Sequence, residues 1–265
     1  MTVRALLTTA ALTLLGAAPA FAVPAPTPCP GCWKPAPTTQ PWQWQLQGKI
    51  DLTVPAPVYD IDGEFNSAAT VAAIHAQGDK AICYTSVGTY EPFRSDAGEF
   101  PKKLLGRPFP GFEEERWLDI RDLKRLKPIM RARFDECAAK GFDAVEPDIV
   151  DAFDNKSGFP IKPKHQLRYN VWVANSVHAR GMAVGLKNDL PQVKELVPYF
   201  DFSVNEQCFQ YDECDRLMPF IDAGKAVFSA EYEIPLSRFC ADSKARGFST
   251  ILKKYSLRAE RQICP

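Results

Sequence analysis

Histidine is nearly missing from this chain: three in 265 residues, at positions 75, 165 and 178. All three fall in stretches of helical periodicity, which place them on an outer ring away from any cleft. That excludes histidine-based zinc hydrolysis and a Ser-His-Asp triad, both of which need imidazole at the reacting centre. Net charge is missing too: 32 Lys and Arg balance 32 Asp and Glu, giving a formal +0. A chain with no overall basic excess has no electrostatic footprint for nucleic acid or an anionic membrane. Membrane-length apolar runs are lacking as well. Residues 5–19 (ALLTTAALTLLGAAP) end in Pro19 and fall short of the roughly 20 residues that a span requires. Arg4 precedes the run and Ala20-Phe21-Ala22 follows it, the pattern of a cleaved export signal over residues 1–22, with a mature start at Val23. Internal repeats and a second domain are equally absent from the pattern.

Cysteine, by contrast, is plentiful, with eight residues. An exported chain can oxidise them. Cys208 and Cys214 close a short loop, and Cys240 and Cys264 are placed to staple the C-terminal tail. Cys83 and Cys137, on an expected strand and helix, fit either a bridge or two buried thiols. Cys29 and Cys32 lie in a Pro- and Thr-rich stretch, residues 23–41, that reads as an extended lead-in without packed structure. No βαβ unit precedes this pair, which argues against a redox motif, and no histidine lies near a close cysteine pair to complete a zinc site.

From Trp42 onward short apolar runs alternate with helical stretches. The runs are 57–61, 81–87, 116–120, 142–146, 182–186, 200–205, 225–230 and 248–252. Several helices hand over to the next run through a glycine, as in Lys140-Gly141-Phe142 and Arg180-Gly181-Met182. The segment WQWQLQG at 42–48 reads as a short strand piece lying against the barrel. Eight strand–helix units in about 243 mature residues predict one closed (β/α)8 barrel spanning residues 42–265. The weakest unit is the second, where 92–115 holds Pro and Gly and reads as a long loop.

In such a barrel the chemistry sits where strands end and loops begin. Acids crowd those positions: Asp60, Asp62 and Glu64; Glu91; Glu146, Asp148 and Asp151; Asp189; Glu206; Glu231 and Glu233. Some follow from the preference of acids for helix N-termini. Glu146, Asp148 and Glu206 do not, because they end apolar runs. A carboxylate-lined mouth without histidine suits glycoside hydrolysis, in which one carboxylate attacks and another carboxyl donates a proton. An oxygen-only Mg²⁺ or Ca²⁺ site is the lesser alternative; no metal or cofactor is expected. The acid excess points to a cationic substrate such as an unacetylated amino sugar, and Tyr84, Tyr90 and Tyr232 offer faces for sugar or ammonium.

Several strings carry a family resemblance: CYTSVGTYEPFRSD (83–96), ERWLDIR (115–121), KGFDAVEPDIVDAF (140–153), AVGLKND (183–189), FDFSVNEQCFQYDEC (200–214) and AGKAVFSAEY (223–232). Together they resemble glycoside hydrolase family 114, the endo-α-1,4-polygalactosaminidases, from about Trp42 to Tyr232. The resemblance implies a (β/α)8 barrel, no cofactor, an α-1,4-linked galactosamine polymer as substrate, and Asp148 and Glu206 as the catalytic pair. By analogy with retaining α-glycosidase barrels, Asp148 would be the nucleophile and Glu206 the acid/base. Glu146 would orient Asp148 or bind an ammonium, and Lys187 would hold a catalytic carboxylate ionised or repel a cationic sugar. Asp60, Glu91, Asp189 and Glu231 are further subsite candidates, with Tyr84 and Tyr232. One departure is visible: the position after E-P-D usually holds Asn, and here it is Ile149. The competing readings are an α-glycosidase for neutral galactosides and a catalytically silent, glycan-binding barrel. The expected protein is a secreted monomer, open to a long polymer.

Overall fold

The structure, a computed structural model, describes residues 23–265; the expected export signal at 1–22 lies outside them. Eight parallel strands follow one another around a barrel in chain order: β1 (Gln43–Gln45), β2 (Val58–Asp62), β3 (Lys80–Ser86), β7 (Ala144–Asp148), β8 (Ala183–Lys187), β9 (Phe202–Glu206), β10 (Val227–Glu231) and β11 (Ser249–Leu252). The intervening β4 (Thr89–Tyr90), β5 (Leu105–Phe109) and β6 (Phe112–Leu118) form a separate antiparallel sheet, and β12 (Gln262–Ile263) runs antiparallel against β11. The helices are α1 (Ala68–Ala76), α2 (Leu123–Ala139), α3 (Pro163–His178), α4 (Val193–Leu196), α5 (Met218–Asp222) and α6 (Leu236–Arg246). Side chains link the two ends of the parallel series: Ser249 Oγ bonds to the Gln40 carbonyl, and Lys253 Nζ lies 3.4 Å from Gln43 Oε1.

Seven of the expected runs are staves of this barrel. The run 116–120 is not. It falls at the end of β6 in the antiparallel sheet, because β3 pairs directly with β7 and leaves no slot between them. The missing stave is β1, at the WQWQ segment, paired in register with β2 through Trp44 and Asp60. The reason is volume. Trp42 and Trp44 are fully buried inside the barrel and stack at 5.6 Å, while Gln43 and Gln45 face the other way and bond to the carbonyls of Ala259 and Lys49. Three residues suffice for a stave when two indoles fill the space that it faces.

The period of two along each strand separates two cores. Trp44, Val58, Ile82, Ala144, Ala183, Phe202, Val204, Phe228, Ala230 and Ile251 fill the barrel interior. The alternate residues, including Tyr59, Cys83, Val145, Val184 and Val227, pack beneath the helices with Phe134, Tyr169 and Phe239. Gly185 takes an inward position where a Cβ would lie 2.3 Å from the Phe202 ring, so its missing side chain admits the larger one.

The Pro-rich stretch 23–41 has no regular secondary structure, as its composition implies, yet it is packed. Thr27 N–H donates to Asn175 Oδ1 (2.6 Å), Tyr199 donates to the Pro24 carbonyl, and Ala226 N–H donates to the Pro35 carbonyl. The Trp33 ring lies 5.9 Å from Phe202 and 6.5 Å from Phe228, so the lead-in plugs the barrel floor opposite the C-terminal ends of the staves. All eight cysteines are bridged: Cys29–Cys32, Cys83–Cys137, Cys208–Cys214 and Cys240–Cys264. The second ties β3 to α2 and resolves the choice the sequence leaves open. Four bridges fit an oxidising compartment. No helix among the described residues is long and apolar enough to cross a membrane.

Candidate active site

The inward positions nearest the C-terminal ends of the staves gather charged side chains. The period of two that places Ala144 inside also turns Glu146 and Asp148 inward; Ala183 likewise leads to Lys187, Val204 to Glu206, and Ala230 to Tyr232. Above them opens a cavity of about 630 Å³, lined by Tyr84, Glu91, Asp148, Lys187, Glu206 and Tyr232 among others.

Lys187 is the centre. Its Nζ lies 2.9 Å from Asp148 Oδ1, 3.1 Å from Glu206 Oε2 and 3.3 Å from Glu146 Oε1, and 4.8 Å over the Trp44 ring. Burial alone favours the neutral amine; Asp148, Glu206 and Glu146 together push its pKa well above the usual ammonium value. The gap between the Asp148 and Glu206 oxygens that share this ammonium cannot exceed the sum of their two distances, about 6 Å.

Each carboxylate is held from further sides. Tyr84 donates to Asp148 Oδ2 (2.9 Å), and Ile149 N–H donates to Oδ1 (2.9 Å). Tyr232 donates to Glu206 Oε1 (2.5 Å), while Asn188 accepts the Glu206 N–H (2.9 Å) and reaches Oε2 at 3.4 Å. Burial and the adjoining carboxylate keep both phenols protonated, Tyr84 beside Asp148 and Tyr232 beside Glu206. Ile149 (φ 60°), Asn188 (φ 49°) and Gln207 (φ 63°) are all left-handed, so the chain turns sharply just past three of these strands. Asn tolerates that backbone; β-branched Ile does not do so readily. Gly88 permits the turn at Ile149, since a Cβ there would meet the Ile149 carbonyl at 1.8 Å.

Below Lys187, Asp60 and Glu146 are fully buried against each other. Burial and then the neighbouring Glu146 raise Asp60 far above the carboxylate range; burial raises Glu146 to about 7. Asp60 therefore keeps a proton that the two share.

The remaining expected residues are held in ion pairs or turned away from the cavity. Glu91 lines the cavity but is tied to Arg94 (2.9 Å), which also pairs with Asp62 (2.8 Å). Glu231 faces outward, where it accepts the N–H groups of Phe209 (3.0 Å) and Gln210 (3.3 Å) and anchors the disulfide loop after Glu206. Burial raises it to about 7. Asp189 is buried behind the rim, where Asn170 donates to it (2.8 Å); burial and then Asp151 raise it to about 9. Neither lines the cavity, and Asp119, just past β6, is bound to Arg121 (2.7 Å). The three histidines sit on α1 and α3, with His75 on Asp143 and His178 on Asp201.

Sequence reasoning misses the antiparallel flap. Its Phe109, Phe112, Glu115 and Trp117 form one wall of the cavity, opposite Tyr232 and Tyr255, whose rings stack at 4.4 Å. Burial and nearby Glu91 raise Glu115 to about 7, and burial and then Asp148 raise Asp151 to about 6. Residues 116–118 belong to β6 and not to a stave, and 113–115, which read as loop, belong to the same strand. Among the described residues, six carboxyls line the cavity against two cations, Arg94 and Lys187.

A parallel barrel that gathers two carboxylates on one ammonium, in an open cleft walled by aromatic rings, is the architecture of a glycoside hydrolase. The particular family follows from comparison. The chain belongs to glycoside-hydrolase family GH114, whose family model matches residues 24–265. The crystal structure of Aspergillus fumigatus Ega3 in complex with galactosamine superposes with a TM-score of 0.83 at 34% identity, covering 88% of this chain and 97% of that one. The glycoside hydrolase domain of PelA from Pseudomonas aeruginosa (TM-score 0.67, 14% identity, 82% and 95% covered) shares the fold. So does the α-galactosidase TtGalA from Thermus thermophilus in complex with p-nitrophenyl α-D-galactopyranoside (TM-score 0.55, 12% identity, 84% and 59% covered). No curated protein matches the chain.

Proposed function

We propose that the protein is a secreted, endo-acting glycoside hydrolase that cleaves α-1,4-linked, galactosamine-rich polysaccharide with retention of configuration, Asp148 serving as nucleophile and Glu206 as acid/base. The single observation that carries the mechanism is the Lys187 bridge. It keeps the nearer oxygens of the two carboxylates no more than about 6 Å apart, which supports the roughly 5–5.5 Å separation of retaining enzymes over the 6.5–9.5 Å of inverting ones.

Asp148, its oxygens aligned by Tyr84, Ile149 N–H and Lys187, attacks the anomeric carbon as the glycosidic C–O bond breaks. Glu206 gives its proton to the departing sugar oxygen. Glu206 then takes a proton from water, whose oxygen displaces Asp148 from the same carbon. Two displacements restore the starting configuration. Lys187 stays protonated throughout and holds the pair at working distance.

The acid excess in the cleft supports a cationic amino sugar, and the relative co-crystallised with galactosamine supports that class. Export is supported by the four bridges and the leader pattern at 1–22. In this reading residues 42–265 are the catalytic domain, 23–41 is the plug of its floor, and the protein works as a monomer with its cleft open at both ends.

The test is release of reducing ends from partly deacetylated α-1,4-polygalactosamine, with Asp148→Asn and Glu206→Gln beside the native chain. Oligomers from the native chain, with a loss of at least about a hundredfold in both variants, are expected. Proton NMR of the first product distinguishes retention from inversion. Binding without cleavage would establish a silent barrel; cleavage confined to neutral α-galactosides would overturn the amino-sugar assignment.

A further inference from the structure

A second depression adjoins the catalytic cavity on its Phe65 side. It has a volume of about 620 Å³, and Phe65 lines both. The backbone crosses from one to the other as well: Leu46 and Gln47 border the catalytic cavity, Gly48 and Lys49 the outer groove. The two thus adjoin along the surface and share Phe65 as their divide.

The surface changes character there. The catalytic cavity carries six carboxyls; among the described residues lining the outer groove, the single charge is Lys49, and the other polar groups are neutral, chiefly Asn66, Ser67 and Thr70. Asp51, next to the groove in sequence, is turned to the Thr53 hydroxyl (2.6 Å). Phe65 is 61% exposed, its ring 6.2 Å from Phe93 and 4.9 Å from the Arg94 guanidinium. An apolar ring left this open, with the Arg94 guanidinium over one face and Phe93 beside it, offers its remaining face to solvent. The C–H face of a pyranose fits such a surface.

We propose that the outer groove is a further sugar subsite, adjoining the catalytic cleft, that takes an uncharged, N-acetylated residue of the polymer. It rests on the reading of the protein as a galactosaminidase. An ammonium sugar placed there meets Lys49 and no carboxylate, and is disfavoured. An acetamido sugar brings no charge, stacks on Phe65 and exchanges hydrogen bonds with hydroxyl and amide groups. The cleft then reads a pattern: charged residues near the cut and an acetylated one at a distance.

Titration calorimetry on the Glu206→Gln variant tests this without turnover, using α-1,4-galactosamine oligomers of increasing length, fully deacetylated or acetylated at one end. Affinity is expected to rise with length, with a final step only when the residue that reaches the groove is acetylated. On the same background, Phe65→Ala and Ala73→Trp, the latter filling the groove from α1, each shrink that step by about tenfold. Lys49→Glu reverses the preference toward the deacetylated end. A length dependence unaltered by both Phe65→Ala and Ala73→Trp overturns the subsite while leaving the galactosaminidase reading standing. Equal affinity for both ends overturns its preference for acetyl groups. No binding of any oligomer overturns the subsite and the functional reading together.

Discussion

Asp60 and Glu146 meet carboxyl to carboxyl beneath Lys187, and among the described residues their four oxygens find no donor besides the Lys187 ammonium, 3.3 Å from Glu146 Oε1. The pair must share a proton, and Asp60 holds it more tightly. Glu146, raised to about 7, therefore gains its charge where a general acid would be losing its proton, 3.3 Å from the ammonium that also touches Glu206. Glu146→Gln keeps the shape and removes that negative charge. Ionisation of Glu146 near 7 places a charge beside the ammonium that holds the two carboxylates, so its removal should shift the kcat/KM profile around neutral pH by about 0.5–1 unit. Asp60→Asn donates to Glu146 and keeps it ionised, so it should not reproduce the shift. Identical profiles for Glu146→Gln and the native chain between about pH 4 and 9 would sink the link.

Ile149 occupies a left-handed position, φ 60°, that costs a β-branched residue about 1–2 kcal/mol. The position is constrained because its N–H must reach Asp148 Oδ1, and Gly88 lies against its carbonyl. Ile149→Asn should relieve the strain and keep that hydrogen bond. A net gain of up to about 1 kcal/mol is expected, a rise of roughly 2–4 °C in Tm for a chain this long. Ile149→Val, which keeps the branch, should show no gain. A Tm for Ile149→Asn at or below the native value would show that the apolar contacts of Ile149 outweigh the strain.

Stability should fall as pH rises from about 5 to 8. Asp151 is raised to about 6, Glu231 to about 7 and Asp189 to about 9, all by burial first. Between the unfolded value near 4 and each folded value, the folded state binds a proton that the unfolded state has released. Stability then declines by up to about 1.4 kcal/mol per pH unit for each such proton. Below that range the sign reverses: Lys80 and the Ala81 N–H hold Asp143 low against the cost of its burial, and its contribution is lost as acid protonates it. Asp189→Asn still accepts from Asn170 and should flatten the decline above about pH 5 in thermal melts. A native Tm that climbs from pH 5 to 8 would contradict the protonated state of these acids.

What the sequence made legible follows from periodicity. Asp148, Lys187 and Glu206 each end an apolar run, and each has the parity of an interior residue, so strand-end reasoning finds all three. The same rule, applied one residue at a time, would have separated Glu231 from Tyr232: adjacent strand residues face opposite ways, and Tyr232 alone faces the cleft. The stave β1 is only three residues long, and its WQWQ alternation reads as a piece lying against the barrel, whereas the run at 116–120 reads as a stave and ends the flap strand β6. Local alternation identifies a strand but does not say which neighbour it pairs with. Ion pairing is equally non-local. Arg94 reaches both Glu91 and Asp62 from the following turn, a pairing that residue spacing does not announce.

The lead-in illustrates the opposite failure, in which composition alone suggested a free tail. Its Pro content does prevent helix and sheet, but a rigid extended chain loses little entropy on docking, and this one carries an indole to the open end of the barrel. Trp33 packs on Phe202 and Phe228, whose rings meet at 5.7 Å in the lowest interior layer. Trp33→Ala would expose that layer and empty the plug, and because the ring is only partly buried the expected cost is about 2 kcal/mol, below the range for a fully buried Trp. The catalytic rim is at the other end, so kcat and KM at low temperature should hold while the denaturation midpoint falls. If truncation to residue 42 and Trp33→Ala both leave the urea midpoint unchanged, the lead-in is not part of the folded unit; if they lower it together, the working domain begins before the first stave.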